Sequence, residues 1–172
     1  MDPEIVNDSF SRRLTRLAVR SDVRTILEIG SGSGNGSTVA LSAGIRSGRT
    51  NQALWCLEAD PQRCEELRKN VGSLHGVRPL WGSSVGRSGL PSWEEVEAWW
   101  HRSPGHLLHN YGMEAVKGWW RCDEEGFRGQ RPQGLVAQIM MKERLAYFDL
   151  VLIDGSEFTG EEELRLVYGP LS

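Results

Sequence analysis

A chain of 172 residues, 39% hydrophobic and 25% charged, is long enough to bury one substantial core and has the composition of an ordinary folded domain. Its formal net charge of −3 excludes an electrostatic case for binding nucleic acid or an anionic membrane. No apolar run approaches bilayer length, and the opening MDPEIVNDSFSRR lacks the apolar stretch of a secretory signal.

The first expected element is a helix over 8–20, where Phe10, Leu14, Leu17 and Ala18 share one face and arginines lie elsewhere. The run Thr25-Ile26-Leu27-Glu28-Ile29 ends in a glycine-rich turn, which suits a buried parallel strand. A helix is expected from about Asn35 to Ile45, then a second strand over Ala53–Leu57. Asp60 caps the next helix and Pro61 starts it, with Cys64, Leu67 and Val71 as its apolar stripe and Gly72 at its end. Val77–Trp81 reads as a third strand, and Pro79, unable to donate to a ladder, puts it at a sheet edge. Phe148–Ile153 is the strongest strand in the sequence. A last helix covers Glu161–Tyr168, with Thr159 and Glu162 as its expected capping box. This alternation predicts an α/β fold, a doubly wound parallel sheet in the order 3-2-1-4 with right-handed crossovers.

The informative residues fall at strand ends. The first strand enters Glu28-Ile29-Gly30-Ser31-Gly32-Ser33-Gly34, whose glycines let a backbone approach a ligand closely. A dinucleotide enzyme needs G-x-G-x-x-G. Counting from Gly30 puts Asn35 at the third glycine, and counting from Gly32 puts Ser37 there, which disfavours an NAD-dependent oxidoreductase. The pattern present, E-x-G-x-G-x-G, resembles motif I of the class I S-adenosylmethionine-dependent methyltransferases. Phe148-Asp149-Leu150-Val151-Leu152-Ile153-Asp154-Gly155-Ser156 is similar to motif IV of that family, especially of its small-molecule O-methyltransferases.

The resemblance covers roughly residues 22–84 and 147–168 and implies a Rossmann-like transferase. It puts Glu28, Gly30, Ser31, Gly32 and Gly34 in the loop that binds S-adenosylmethionine. It makes Glu58, at the end of the second strand, the acid that receives both ribose hydroxyls. A carboxylate accepts two hydrogen bonds at once, which suits a vicinal diol; Asp60, already a cap, is the alternative. Ser83, in Gly82-Ser83-Ser84, falls near the adenine edge. Asp154 falls where the methyl group would transfer, as a candidate base or metal ligand. A divalent metal there has no second ligand to support it. Asp149 reads as a surface or turn carboxylate. The implied reaction is methyl transfer to an oxygen, or a nitrogen, of a small polar acceptor substrate. The alternative is a non-catalytic cofactor-binding or assembly module.

Residues 85–147 form a helical insertion between strands 3 and 4, containing Trp93, Trp99, Trp100, Trp119 and Trp120. Ser92 and Glu95 make a capping box for a helix to about His101. The tryptophans would wall a substrate lid or, the preferred reading, fill a small core of their own. His101, His106 and His109 raise a metal site, but the i, i+3 pair His106/His109 lacks a nearby carboxylate, and the histidines read as solvated. The chain reads as a single, partial domain, because Ser172 comes before any fifth strand. The edge of strand 4 is then expected to pair with a second copy (a homo-oligomer) or with another chain that completes the sheet. Cys56, Cys64 and Cys122 are too widely spaced for a disulfide framework or a zinc knuckle and fit a reducing cytoplasm.

Overall fold

The computed structural model describes residues 5, 7–47, 51–128 and 133–169. Four strands, β1 (Thr25–Ile29), β2 (Ala53–Glu58), β3 (Val77–Trp81) and β4 (Leu150–Ile153), form an all-parallel sheet in the order β3-β2-β1-β4. This is the α/β, Rossmann-like order expected from the alternation of elements. Helices α1 (Ser9–Ala18), α2 (Ser37–Ser47) and α3 (Pro61–Val71) precede β3. Helices α4 (Trp93–Arg102), α5 (Met113–Gly126) and α6 (Leu135–Glu143) separate β3 from β4, and α7 (Gly160–Tyr168) follows.

Side chains along a strand point alternately to the two faces of the sheet, so each strand serves two cores. Ile26, Leu54 and Cys56 pack with Leu14, Leu41 and Leu67 from α1, α2 and α3. Leu27, Ile29, Trp55 and Leu57 pack with Val136, Ile139 and Val167 from α6 and α7. Crossovers of a single hand account for this division. The chain steps outward from β1 to β3 over one face, and its return to β4 must cross the other.

Several local expectations shift. The buried stripe of α1 is Ser11, Leu14 and Ala18, whereas Phe10 is 43% exposed. Helix α2 begins at Ser37 instead of Asn35, because the turn carries its positive-φ glycines as far as Gly34. Phe148 precedes β4 proper and is buried edge-on against Trp55. Asp60 caps α3 by accepting from the Arg63 amide at 2.7 Å, with Pro61 at the first turn, and Cys64, Leu67 and Val71 are its buried side chains. The capping box of Ser92 and Glu95 is present on α4. That of Thr159 and Glu162 is not: the Thr159 hydroxyl donates instead to Glu163 at 2.9 Å, and Glu162 pairs with Arg165. The inward-facing acid wins over the exposed one, since a buried hydroxyl and carboxylate each need a partner.

The segment between β3 and β4 divides in two. Its last helix, α6, is the crossover helix of the sheet itself and buries Val136 and Ile139 on it. The aromatic residues of α4 and α5 contact one another and the turn between them: Trp93 with Trp120, Trp100 stacked on His109, and Tyr111 with Trp119. Among the described residues no helix is long and apolar enough to cross a membrane.

Candidate functional site

In a parallel sheet the loops at the carboxyl ends of the strands converge, and here they bring together the turn after β1, Glu58, the loop at Gly82-Ser83-Ser84 and Asp154. The turn is folded back by two amides, those of Gly30 and Ser31, which both donate to the Leu57 carbonyl at 3.0 Å.

The glycines of this turn serve different ends. Gly30 has φ +83, and a Cβ there would lie 2.0 Å from the Asp154 carbonyl oxygen. Its missing side chain lets the turn after β1 close against the end of β4, where the Asp154 amide donates to the Ile29 carbonyl at 2.9 Å. Gly32 has φ +56, and a Cβ there would meet nothing within 4 Å. Gly34 makes room for α3: a Cβ there would lie 2.7 Å from Leu67 Cδ1. Thus Gly30 and Gly34 let elements approach, while Gly32 faces open space.

Glu28 is wholly buried on the α2 side of the sheet. Its carboxylate accepts from Ser37 at 2.6 Å, Thr38 at 2.6 Å and Ser31 at 2.8 Å. Burial pushes this carboxyl above its ordinary value, against the hydroxyls that pull it down. The same burial, with the Glu28 charge beside it, raises the Cys56 thiol. Glu28 and Ser31 therefore brace the turn and the first turn of α2, and both side chains are directed inward. Ser37 and Thr38 are site-shaping residues that sequence reasoning missed. Two hydroxyls in the first helical turn after a buried strand acid were the available signal.

Glu58 ends β2 and is bound at both oxygens. Oε2 accepts from the Gly32 amide at 2.8 Å, and Oε1 from the Asp60 amide at 2.8 Å. A carboxylate has about four lone-pair positions, so each oxygen retains capacity to accept another bond. The third loop is joined to α6: the carbonyls of Ser83 and Ser84 accept from the Leu135 and Val136 amides at 2.9 and 3.1 Å. Asp154 is exposed at the mouth of β4.

Asp149 lies at the other end of the sheet. Its Oδ2 accepts from the amides of Arg24 and Thr25 at 2.8 Å each and from the Thr25 hydroxyl at 2.9 Å, so it pins the start of β4 to the start of β1. Of the histidines, His101 and His106 are exposed, His106 meeting Trp99 edge-on, while His109 is half-buried and stacked on Trp100. Among the described residues no three His, Cys, Asp or Glu side chains are grouped to hold a metal ion. Grooves of about 510 Å³ along α1 and about 290 Å³ beside Asp149 both lie away from the glycine turn.

No protein-family model matches this chain, and no curated protein matches it.

Proposed function

We propose that the chain binds S-adenosylmethionine at the glycine turn and transfers its methyl group to an oxygen, or a nitrogen, of a small polar acceptor. The observation that carries this reading is the pairing of Glu58 with Gly32: an acid at the end of β2 bonded to a turn whose central glycine faces open space. A vicinal diol next to a backbone that must be approached closely calls for such an arrangement. When bound, the cofactor supplies an electrophilic methyl for in-line displacement, in which positioning provides most of the acceleration.

The chain's own part is then to bind and orient. Glu58 accepts the diol hydroxyls, Gly32 admits the ligand to the backbone, and Ser83 borders the adenine side. Glu28 and Ser31 keep the turn rigid from beneath. Asp154, exposed at the mouth of β4, is the candidate to take the acceptor's proton. The free thiols Cys56, Cys64 and Cys122 suit a reducing compartment such as the cytoplasm. Isothermal titration with S-adenosylmethionine, its demethylated product and NAD is the direct test. Binding of the first two but not of NAD supports the reading, and binding of NAD alone overturns it.

A second reading is favoured by one observation. Among the described residues strand β4 stands at the margin of the sheet, and all four of its residues are only half-buried. A margin so apolar accepts a further strand, which suits a cofactor-binding or assembly module that works with another polypeptide. Turnover with a panel of small hydroxylated acceptors separates the two readings.

A further inference from the structure

Helix α1 buries Ser11, Leu14 and Ala18, while Phe10, Arg13, Leu17 and Arg20 follow another line along it at the i, i+3, i+7, i+10 spacing. With Ser9 and Arg16 they line a groove of about 510 Å³. It shares Leu17 and Arg20 with a second groove of about 290 Å³, which passes Tyr147 and Phe148 to Leu150, where β4 begins. Phe10 and Tyr147 are both exposed along this path. Its charge is unbalanced. Arg20 is paired with Asp22 at 2.6 Å, and the Asp149 carboxylate is occupied by the Arg24 and Thr25 amides. Arg13 and Arg16 are exposed, and among the described residues neither has an acidic partner. Like charges three and four residues apart on a helix repel, and Arg13, Arg16 and Arg20 stand at those intervals. A counter-charge from outside the chain relieves that repulsion.

We propose that this groove docks an acidic segment of another polypeptide, with its carboxylates on Arg13 and Arg16 and its apolar side chains on Phe10, Leu17 and Tyr147. The proposal names the partner's chemistry for the assembly reading, on which it rests. The planar guanidinium offers a carboxylate two parallel hydrogen bonds, and the apolar residues between the arginines keep water from that contact. A second copy of the chain fits less well, because a two-fold contact centred on this face sets the arginines against their own copies. An anionic membrane or a nucleic acid also fits less well. Such an extended polyanion meets the net charge of −3 of the whole chain, and Leu14 and Ala18 of α1 are already committed to the core. None of the groove residues belongs to the glycine turn.

The probe is a fluorescein-labelled peptide of about 15 residues, long enough to follow both grooves, in which glutamates alternate with leucine and phenylalanine. It is titrated against the full chain by fluorescence anisotropy at low and high salt. The expected result is saturable binding that weakens as salt is added. The double change Arg13→Glu and Arg16→Glu should weaken it by about tenfold or more, with helix content by circular dichroism unchanged because both side chains are exposed. Phe10→Ser should weaken it without altering the salt dependence. Titration of the double variant with S-adenosylmethionine should match that of the native chain, which keeps this test apart from that of the transfer activity. Absence of saturable binding, or equal binding of a peptide with glutamine for glutamate, overturns the proposal. Binding that survives the double change overturns the arginine groove and leaves the assembly reading standing. Tighter binding to phosphatidylserine vesicles or duplex DNA than to the peptide also overturns it, as does a dimer in sedimentation that the double change dissolves.

Discussion

The amide of Gly32 donates to Glu58 Oε2 over 2.8 Å, so the turn after β1 and the end of β2 are a single hydrogen-bonded unit. Glu58→Ala removes this bond together with the oxygens that would accept a ribose under the proposed function. Cofactor affinity should fall by about 1.5–3 kcal/mol, or about tenfold to about a hundredfold, with the fold retained. Asp60→Ala should cost about 1 kcal/mol of stability through loss of the α3 cap and leave affinity unchanged. The reverse pattern in paired titrations and melts would make Asp60 the ribose acid.

Gly32 and Gly30 should respond differently to substitution. A Cβ at Gly32 has nothing within 4 Å, so Gly32→Val should cost mainly the strain of its positive φ, about 1–2 kcal/mol. It should still abolish cofactor binding by occupying the ligand's space. Undiminished affinity in the folded variant would show that the ligand lies elsewhere.

At Gly30 the damage is to the fold. A Cβ there would lie 2.0 Å from the Asp154 carbonyl, and φ is +83. Gly30→Ala should lower unfolding free energy by about 3 kcal/mol or more, read from urea midpoints. A loss below about 1 kcal/mol would mean that β1 and β4 part easily there.

Acid–base behaviour should divide between the ends of the sheet. Burial holds the Glu28 carboxyl above its ordinary 4.5, so the folded chain keeps this proton to higher pH than the unfolded chain. The stability it contributes is full below that value and is lost as pH rises through the folded one. At Asp149 burial alone would raise the carboxyl, but the Arg24 and Thr25 amides and the Thr25 hydroxyl draw it below 3.8. Its contribution is present above 3.8 and lost as pH falls. Denaturation across a pH series should therefore show a shallower alkaline decline in Glu28→Gln and a shallower acid decline in Asp149→Asn. Wild-type slopes in both variants would contradict these assignments.

Strands β1 and β3 fall where the sequence puts them, because apolar runs closed by glycine or charge leave little choice of ends. Helix α6 was hidden inside a segment dominated by tryptophans, although Leu135, Val136, Ile139 and Met140 already form a helical stripe just before a strand. The glycine turn was legible as a motif, but the inward direction of Glu28 was not. Its orientation depends on hydroxyls from α2 that only the packed helix brings near.

The clamp at Asp149 also has a consequence for the order of assembly. Its carboxylate takes amides from residues 125 and 124 positions earlier in the chain. β1 thus gains its second neighbour only after β2, β3 and the whole aromatic segment have been synthesised. Closing so long a loop adds little to the equilibrium cost, which grows only logarithmically with length, but it slows the search for the native pairing. Until β4 arrives, the open side of β1 presents unpaired backbone beside Ile26, Leu27 and Ile29, the condition under which nascent chains stick to one another. Shortening the α4–α5 segment should therefore improve the yield of folded protein at high expression far more than it changes the melting temperature.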